Sequence, residues 1–258
     1  MTDALVPADE NRHVAGAEHS GWEAFTLDFV AADATIAGAI GLVLHSGSGS
    51  CAFWASLCGP GRQYLTIVES DLAMPRDLEL RAPGLWVEVQ VLVPWDHVTV
   101  GLEAFAVGLD DPADALGKLW GDRVPFGLDL EWDTGAPDDV VRAGCGGAVG
   151  YEMPCVVHGE VLVADERIEL DGFGSRSHHW GATHPWVEPR ARQVVAGSIL
   201  GAPPDDARIE PLAEAPLMID LGAATPLRMD RTLGVVHDAV MPSDRPGRLT
   251  WIERNHPC

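Results

Sequence analysis

The sequence predicts an all-β protein built from two antiparallel units in tandem, with one short helix. Three observations carry this: period-two alternation of apolar residues along most of the chain, a turn-rich stretch near its middle, and a composition that suits a packed core. The 258 residues are 47% apolar and 22% charged, the balance of a globular protein rather than a disordered or fibrous one.

Residues 1–20 are polar and alanine-rich without periodicity, and are expected to form a loosely held arm. The first unit, residues 21–140, opens at Gly21-Trp22, and residues 64–68 read as a short strand. Leu85, Val87, Val89, Val91 and Val93 then share one face of a strand. After Pro94-Trp95-Asp96, a second alternation of Val98, Val100, Leu102, Ala104 and Ala106 makes the pair an antiparallel hairpin. The helix is predicted from Asp111, which can cap it, with Pro112 at its first position and Ala115, Leu116 and Leu119 on its buried stripe before Gly121. Residues 133–147 gather turn formers, including Gly144-Cys145-Gly146-Gly147, and mark the boundary to the second unit, residues 141–258. There, residues 160–163 and 168–170 flank a polar turn as a hairpin, and residues 217–221, 232–240 and 249–253 read as short strands.

Charge narrows the partners. Asp and Glu number 39 against 17 Lys and Arg, a formal net charge of −22, and Lys118 is the one lysine. Such a surface repels phosphate backbones and anionic headgroups, so nucleic acid is not an expected partner. Membrane insertion is not expected either: the longest apolar stretch, residues 29–44, is broken by Asp33 and Thr35 and falls short of the roughly 20 residues a bilayer requires. Five cysteines, Cys51, Cys58, Cys145, Cys155 and Cys258, lack the dense spacing of a disulfide scaffold and read as reduced thiols. The first ten residues carry neither a basic nor an apolar leader region, and a cytoplasmic location is expected.

Two glycine-rich segments fail as phosphate cradles. Gly47-Ser48-Gly49-Ser50 lacks the Gly-Lys-Ser/Thr ending, and Gly172-Phe173-Gly174-Ser175-Arg176-Ser177 has a serine where a dinucleotide fingerprint needs its third glycine. His178, His179 and His184 are the densest imidazole cluster, but adjacent strand residues point to opposite faces, so no metal site is expected there.

The informative stretch runs from residue 150 to residue 186. Gly150-Tyr151-Glu152, Val157-His158-Gly159-Glu160-Val161 and Leu170-Asp171-Gly172-Phe173-Gly174-Ser175-Arg176-Ser177-His178-His179-Trp180-Gly181 follow one another. This series resembles the lipocalin-like proteins related to hydroxyneurosporene synthase (carotenoid hydratase) and the AttH group. In those proteins a Tyr-Glu and a Gly-x-Val strand precede Gly-x-Gly-x-Arg-Asp-His-Ser-Trp-Gly. Weaker agreement extends to Trp22, Trp86, Trp95, the Asp111–Asp114 turn and Leu130-Glu131-Trp132. The resemblance implies two lipocalin-like β barrels, no organic cofactor, and a hydrophobic terpenoid- or polyketide-like small molecule as partner; it implies no oligomeric state. The family's Arg, His, Trp and Gly fall on Arg176, His178, Trp180 and Gly181, while its acidic residue is Ser177 here and its serine is His179.

Adding water to an isolated alkene requires an acid that stays protonated near neutrality, usually a carboxyl in an apolar pocket. Ser177 cannot supply it. Glu152 is the nearest motif carboxyl, with His178 or His179 as proton relay, and Arg176, Ser177 and Trp180 are expected to line the substrate site beside residues 172–186. The structural alternative places Glu152 on a solvated edge, pairs Arg176 with Glu152 or Asp171, and buries Trp180 in the core. Three functional readings stay open: a cofactor-free hydratase, isomerase or cyclase; a carrier that holds an apolar ligand unchanged; and a relative whose barrels are filled by side chains.

Overall fold

The computed structural model describes residues 5–13, 21–134, 148–222, 226–237 and 247–257. They form two antiparallel sheets. The large sheet contains β1 (Trp22–Ala31), β2 (Ala37–His45), β3 (Ser50–Cys58), β4 (Tyr64–Ala73), β5 (Glu79–Ala82), β6 (Leu85–Val93), β7 (His97–Leu109), β8 (Asp122–Asp133), β9 (Ala148–Val163) and β10 (Glu166–Gly181). The small sheet contains β11 (Arg190–Val195), β12 (Ser198–Leu200), β13 (Arg208–Glu214), β14 (Leu217–Ile219), β15 (Leu227–His237) and β16 (Arg248–Pro257).

In the large sheet the strands lie in the order β4-β3-β2-β1-β10-β9-β8-β7-β6-β5, and the sheet curls until β4 meets β7, pairing Tyr64 with Leu109 and Thr66 with Val107. The small sheet runs β12-β11-β16-β15-β13, with β14 on β15. Neither is a fully closed barrel: β5 remains an edge of the first sheet, and β12 and β13 end the second. The expected hairpin at residues 85–106 is β6 and β7, with Val91 opposite Val98.

The sheets divide the chain elsewhere than the sequence suggests. The expected division lies at residues 140 and 141, yet β9 pairs β8 and β10 pairs β1 along its length, so the chain leaves the large sheet only after Gly181. Turn residues mark where a chain bends, and they carry no information about which strand it pairs with next. Most of the expected boundary, residues 135–147, lies outside the described residues.

The predicted helix is a single 3₁₀ turn, Pro112–Leu116. Its cap is as expected, the Asp111 carboxylate accepting from Ala113 N at 2.9 Å, but Gly117 ends it after one turn. The N-terminal arm is not loose throughout. Pro7–Glu10 form another 3₁₀ turn, and Glu10 is buried.

Alternation gives the large sheet two apolar faces. Phe25, Leu27, Phe29, Leu102, Leu130 and Trp132 fill the concave side. Val30, Cys58, Tyr64 and Phe173 pack from the other side on Val194, Leu233 and Trp251 of the small sheet. Trp54 does the same against Trp186, Leu217 and Met229. Cys51, Cys58 and Cys155 are buried free thiols, and burial pushes Cys58 up to about 12. No helix among the described residues is long and apolar enough to cross a membrane.

Candidate functional site

The motif strand β10 is extended throughout, so its side chains alternate between the two faces. Arg176 and His178 enter the concave interior, where they meet Glu10, Phe25 and Tyr151. Ser177 and His179 face the small sheet, in the company of Thr26, Glu152 and Arg190. The residues adjacent in the motif therefore belong to two separate sites.

In the interior, His178 is fully buried and both its ring nitrogens are engaged. Nδ1 donates to the Asp9 carbonyl at 2.7 Å, and Nε2 lies 2.8 Å from Glu23 Oε1. Phe25 stacks on the ring at 3.9 Å, and Tyr151 meets it edge-on at 5.9 Å. Burial pushes the His178 pKa down, against the pull of the Glu23 carboxylate. Burial likewise raises Glu23, but hydrogen bonds from His13 and His178 more than offset this and hold it at about 2.

Beside it, Arg176 pairs with Glu10, Nη1 to Oε1 2.6 Å, and donates from Nη2 to Thr134 Oγ1 at 3.2 Å. Trp95, in the left-handed region at φ 68°, donates its backbone N–H to Glu10 Oε2 at 3.0 Å. The Pro7–Glu10 turn thus stoppers this end of the large sheet. Beneath it a cavity of about 20 Å³ is lined by Phe25, Leu27, Val89, Val98 and Tyr151, room for a single water. Burial, reinforced by the Glu10 carboxylate, pushes the Tyr151 phenol well above its ordinary value.

On the other face, Glu152 stands opposite Ser177 in the β9–β10 register. It is buried, not on a solvated edge, and Arg190 grips both its oxygens, Nη2 to Oε2 2.7 Å. Burial raises its pKa, but Arg192 and Arg190 overcome this and keep it ionised. His179 Nε2 lies 3.9 Å from Glu152 Oε1 and has no hydrogen-bond partner among the described residues; burial pushes this imidazole down to about 4. Ser177 is hydrogen-bonded to Thr26. Deeper between the sheets, Arg192 bridges Asp28 and Glu253, Nη2 to Oδ2 2.6 Å and Nε to Oε1 3.2 Å, and Arg231 completes the network on Glu253 at 2.7 Å.

Several expectations change accordingly. Glu152 and His178 do not face one another, Arg176 pairs with neither Glu152 nor Asp171, and His184 meets Trp22 edge-on at 5.3 Å and lies tilted 6.4 Å from Trp186. Trp180 lies over His13 and His178 at 4.3 and 4.9 Å. The partners sequence reasoning missed are Glu10, His13, Glu23 and Arg190. Glu23 carried a signal, an acidic residue set within the apolar run from Trp22 to Phe25.

Beside residues 172–186 the cavities are of about 20 Å³ each, far below ligand size. A groove of about 600 Å³ opens at the other end of β9, walled by Leu85, Trp86, Phe105, Phe126 and Leu162, with Arg81 and Glu103 on its rim. Leu162 is eleven residues beyond Tyr151 on β9, about 36 Å at the usual strand rise.

The fold has known counterparts. A Nitrosomonas europaea protein assigned to AttH shares it, with a TM-score of 0.52 and 9% identity over 99% of this chain and 97% of that one. CghA superposes more loosely: 0.44 with 10% identity over 91% and 87% in its complex with Sch210972, and 0.47 with 9% identity over 95% and 93% without it. No curated protein matches in sequence. The AttH likeness agrees with the resemblance read from residues 150–181 and establishes a common architecture. Residues 6–197, which span the large sheet, both motif sites and the start of the small sheet, match a domain of unknown function, DUF7064, and the chain belongs to that family.

Proposed function

We propose that this protein binds a hydrophobic small molecule of terpenoid or polyketide type in the groove over β6 to β9. The groove carries the reading: its volume, about 600 Å³, lies within the range of about 300–1,000 Å³ typical of small-molecule sites. Its walls are aromatic and aliphatic, and Arg81 and Glu103 are the charged side chains available to orient a polar end. Phe105 and Leu162 are 51% and 44% exposed, apolar surface that a ligand would remove from water. A second depression, about 620 Å³, is bordered by Asp33, Glu160, Glu169 and Asp171 and suits an apolar ligand poorly.

Carriage, isomerisation or cyclisation fits the polar groups better than hydration. Alkene protonation needs a neutral acid, whereas Glu152 is held ionised by arginines and Glu23 sits at about 2. A catalytic reading at the motif rests on a different observation, the His179 Nε2 beside Glu152 that has no hydrogen-bond partner among the described residues.

The test is mass spectrometry of small molecules extracted from the native protein, followed by titration of those molecules, or of Nile red, into variants. Leu162→Arg is expected to abolish binding with an unchanged melting temperature, because the side chain is exposed. Absence of any extracted ligand together with Nile red binding indifferent to Leu162→Arg overturns the groove reading. Binding or turnover sensitive instead to His179→Ala moves the site to the face between the sheets.

A further inference from the structure

We infer that His13, Glu23 and His178 form a binding site for one divalent transition-metal ion of the zinc class. The three arrive from separate segments: His13 follows the Pro7–Glu10 turn, Glu23 lies on β1, and His178 lies on β10. Glu23 Oε1 is 2.8 Å from His178 Nε2 and 3.1 Å from His13 Nδ1, and the three donor atoms all lie within 4.8 Å of one another. An ion bonded at about 2.0–2.2 Å holds neighbouring tetrahedral ligands roughly 3.3–3.5 Å apart. The two contacts to Glu23 would open by a few tenths of an ångström, and the two imidazole nitrogens, within 4.8 Å of each other, would draw to that same spacing around one ion. Two imidazoles and a carboxylate are a donor set that zinc accepts, with a fourth position left for water.

The outer atoms of the two rings supply an independent observation. His178 Nδ1 donates to the Asp9 carbonyl at 2.7 Å, and His13 Nε2 faces Asp9 Oδ1 at 3.4 Å. Ligating histidines characteristically turn the remaining N–H to a carbonyl or carboxylate, which fixes the tautomer and aims the free lone pair at the metal. Here one residue, Asp9, does this for both rings. With its Nδ1 proton committed, a neutral His178 presents a lone pair at Nε2 directly to the Glu23 carboxylate, fully buried. A cation between them converts that contact into two bonds; a second proton on His178 is the competing solution. Phe25 and Trp180 wall the cluster with apolar surface, at 3.9 Å from the His178 ring and 4.3 Å from the His13 ring.

The pair His97 and His158, nearer the surface, offers no equivalent. His97 and His158 each span Glu131 and Asp133, dispersing their nitrogens over two carboxylates. An ion at the first cluster would tie the N-terminal arm to β1 and β10.

The experiment strips the full-length chain with a chelator and titrates it with Co²⁺, read by d–d absorption and by quenching of tryptophan fluorescence, then displaces Co²⁺ with Zn²⁺. One saturable ion per chain is expected. His178→Ala empties a core position and so confounds binding with folding; the decisive variants are therefore His13→Ala, whose side chain is 16% exposed at the arm, and Glu23→Gln. Each is expected to weaken binding by about tenfold or more, while His97→Ala with His158→Ala leaves it unchanged. Failure to bind either ion, binding indifferent to His13→Ala and Glu23→Gln, or binding lost with His97 and His158 each overturns the assignment.

Discussion

Glu10 of the N-terminal turn and Arg176 of β10 form an ion pair inside the large sheet, 2.6 Å between Oε1 and Nη1, with side chains 0% and 4% exposed. Removing one partner of such a pair strands the other charge in apolar surroundings. Glu10→Gln is expected to lower stability by about 2–4 kcal/mol, because the amide still offers Arg176 an acceptor but no charge. Urea unfolding gives the loss. Limited proteolysis before residue 21 should accelerate, since the same contact holds the arm.

The Arg192–Glu253–Arg231 network predicts an acid-sensitive limb. Burial raises Glu253, but the two arginines dominate and hold it at about 2, below its ordinary 4.5. A carboxyl with a depressed folded pKa contributes stability that is complete above the unfolded value and lost as pH falls through the folded one. Asp28, raised chiefly by burial, works in the opposite sense. The clean observable is therefore the gap between wild type and Glu253→Gln, expected to be roughly 3 kcal/mol above pH 4.5 and to close toward pH 2. Denaturant midpoints across that range measure it, and a gap independent of pH contradicts it.

Gly41 sits under the indole of Trp54, its cross-strand partner. A Cβ there would lie 2.0 Å from Trp54 Cζ2, and Trp54 is fully buried against Trp186. Gly41→Ala is expected to cost about 1–3 kcal/mol or more, as overpacking does. Near-ultraviolet circular dichroism should change with it, because the displaced ring is an indole.

Tyr64 ties the two sheets, its hydroxyl donating to the Pro216 carbonyl at 2.8 Å in a buried setting. Tyr64→Phe keeps the ring and deletes the bond, leaving the carbonyl unpaired. The expected loss is about 1–3 kcal/mol, read from thermal unfolding.

Local structure was legible in the sequence where it is local. The alternation at residues 85–106 gave β6 and β7, and Asp111 and Pro112 gave a capped turn, shortened by Gly117. Pairing was not legible. His178 meets Glu23 from 155 residues away, and nothing in the spelling of either segment encodes that distance. The opposite orientations of His178 and His179 followed from strand period alone, whereas the arginines that ionise Glu152 lie on β11, outside the motif. The polar first twenty residues concealed Glu10, since burial of a charge becomes visible only with its partner.

The pairing of β1 with β10 also sets a timetable. Trp22 is opposite Gly181, so at about 5–20 residues per second the ribosome releases β1 roughly 8–30 s before its partner. During that interval β1 through β8 can assemble while the edges of β1 and β8, rows of backbone donors and acceptors, wait open, templates for another chain. A nascent chain stalled near residue 140 would hold eight strands and still lack the two that join its ends. Chaperone occupancy and aggregation during synthesis should therefore peak before residue 181 emerges and fall once β10 has docked.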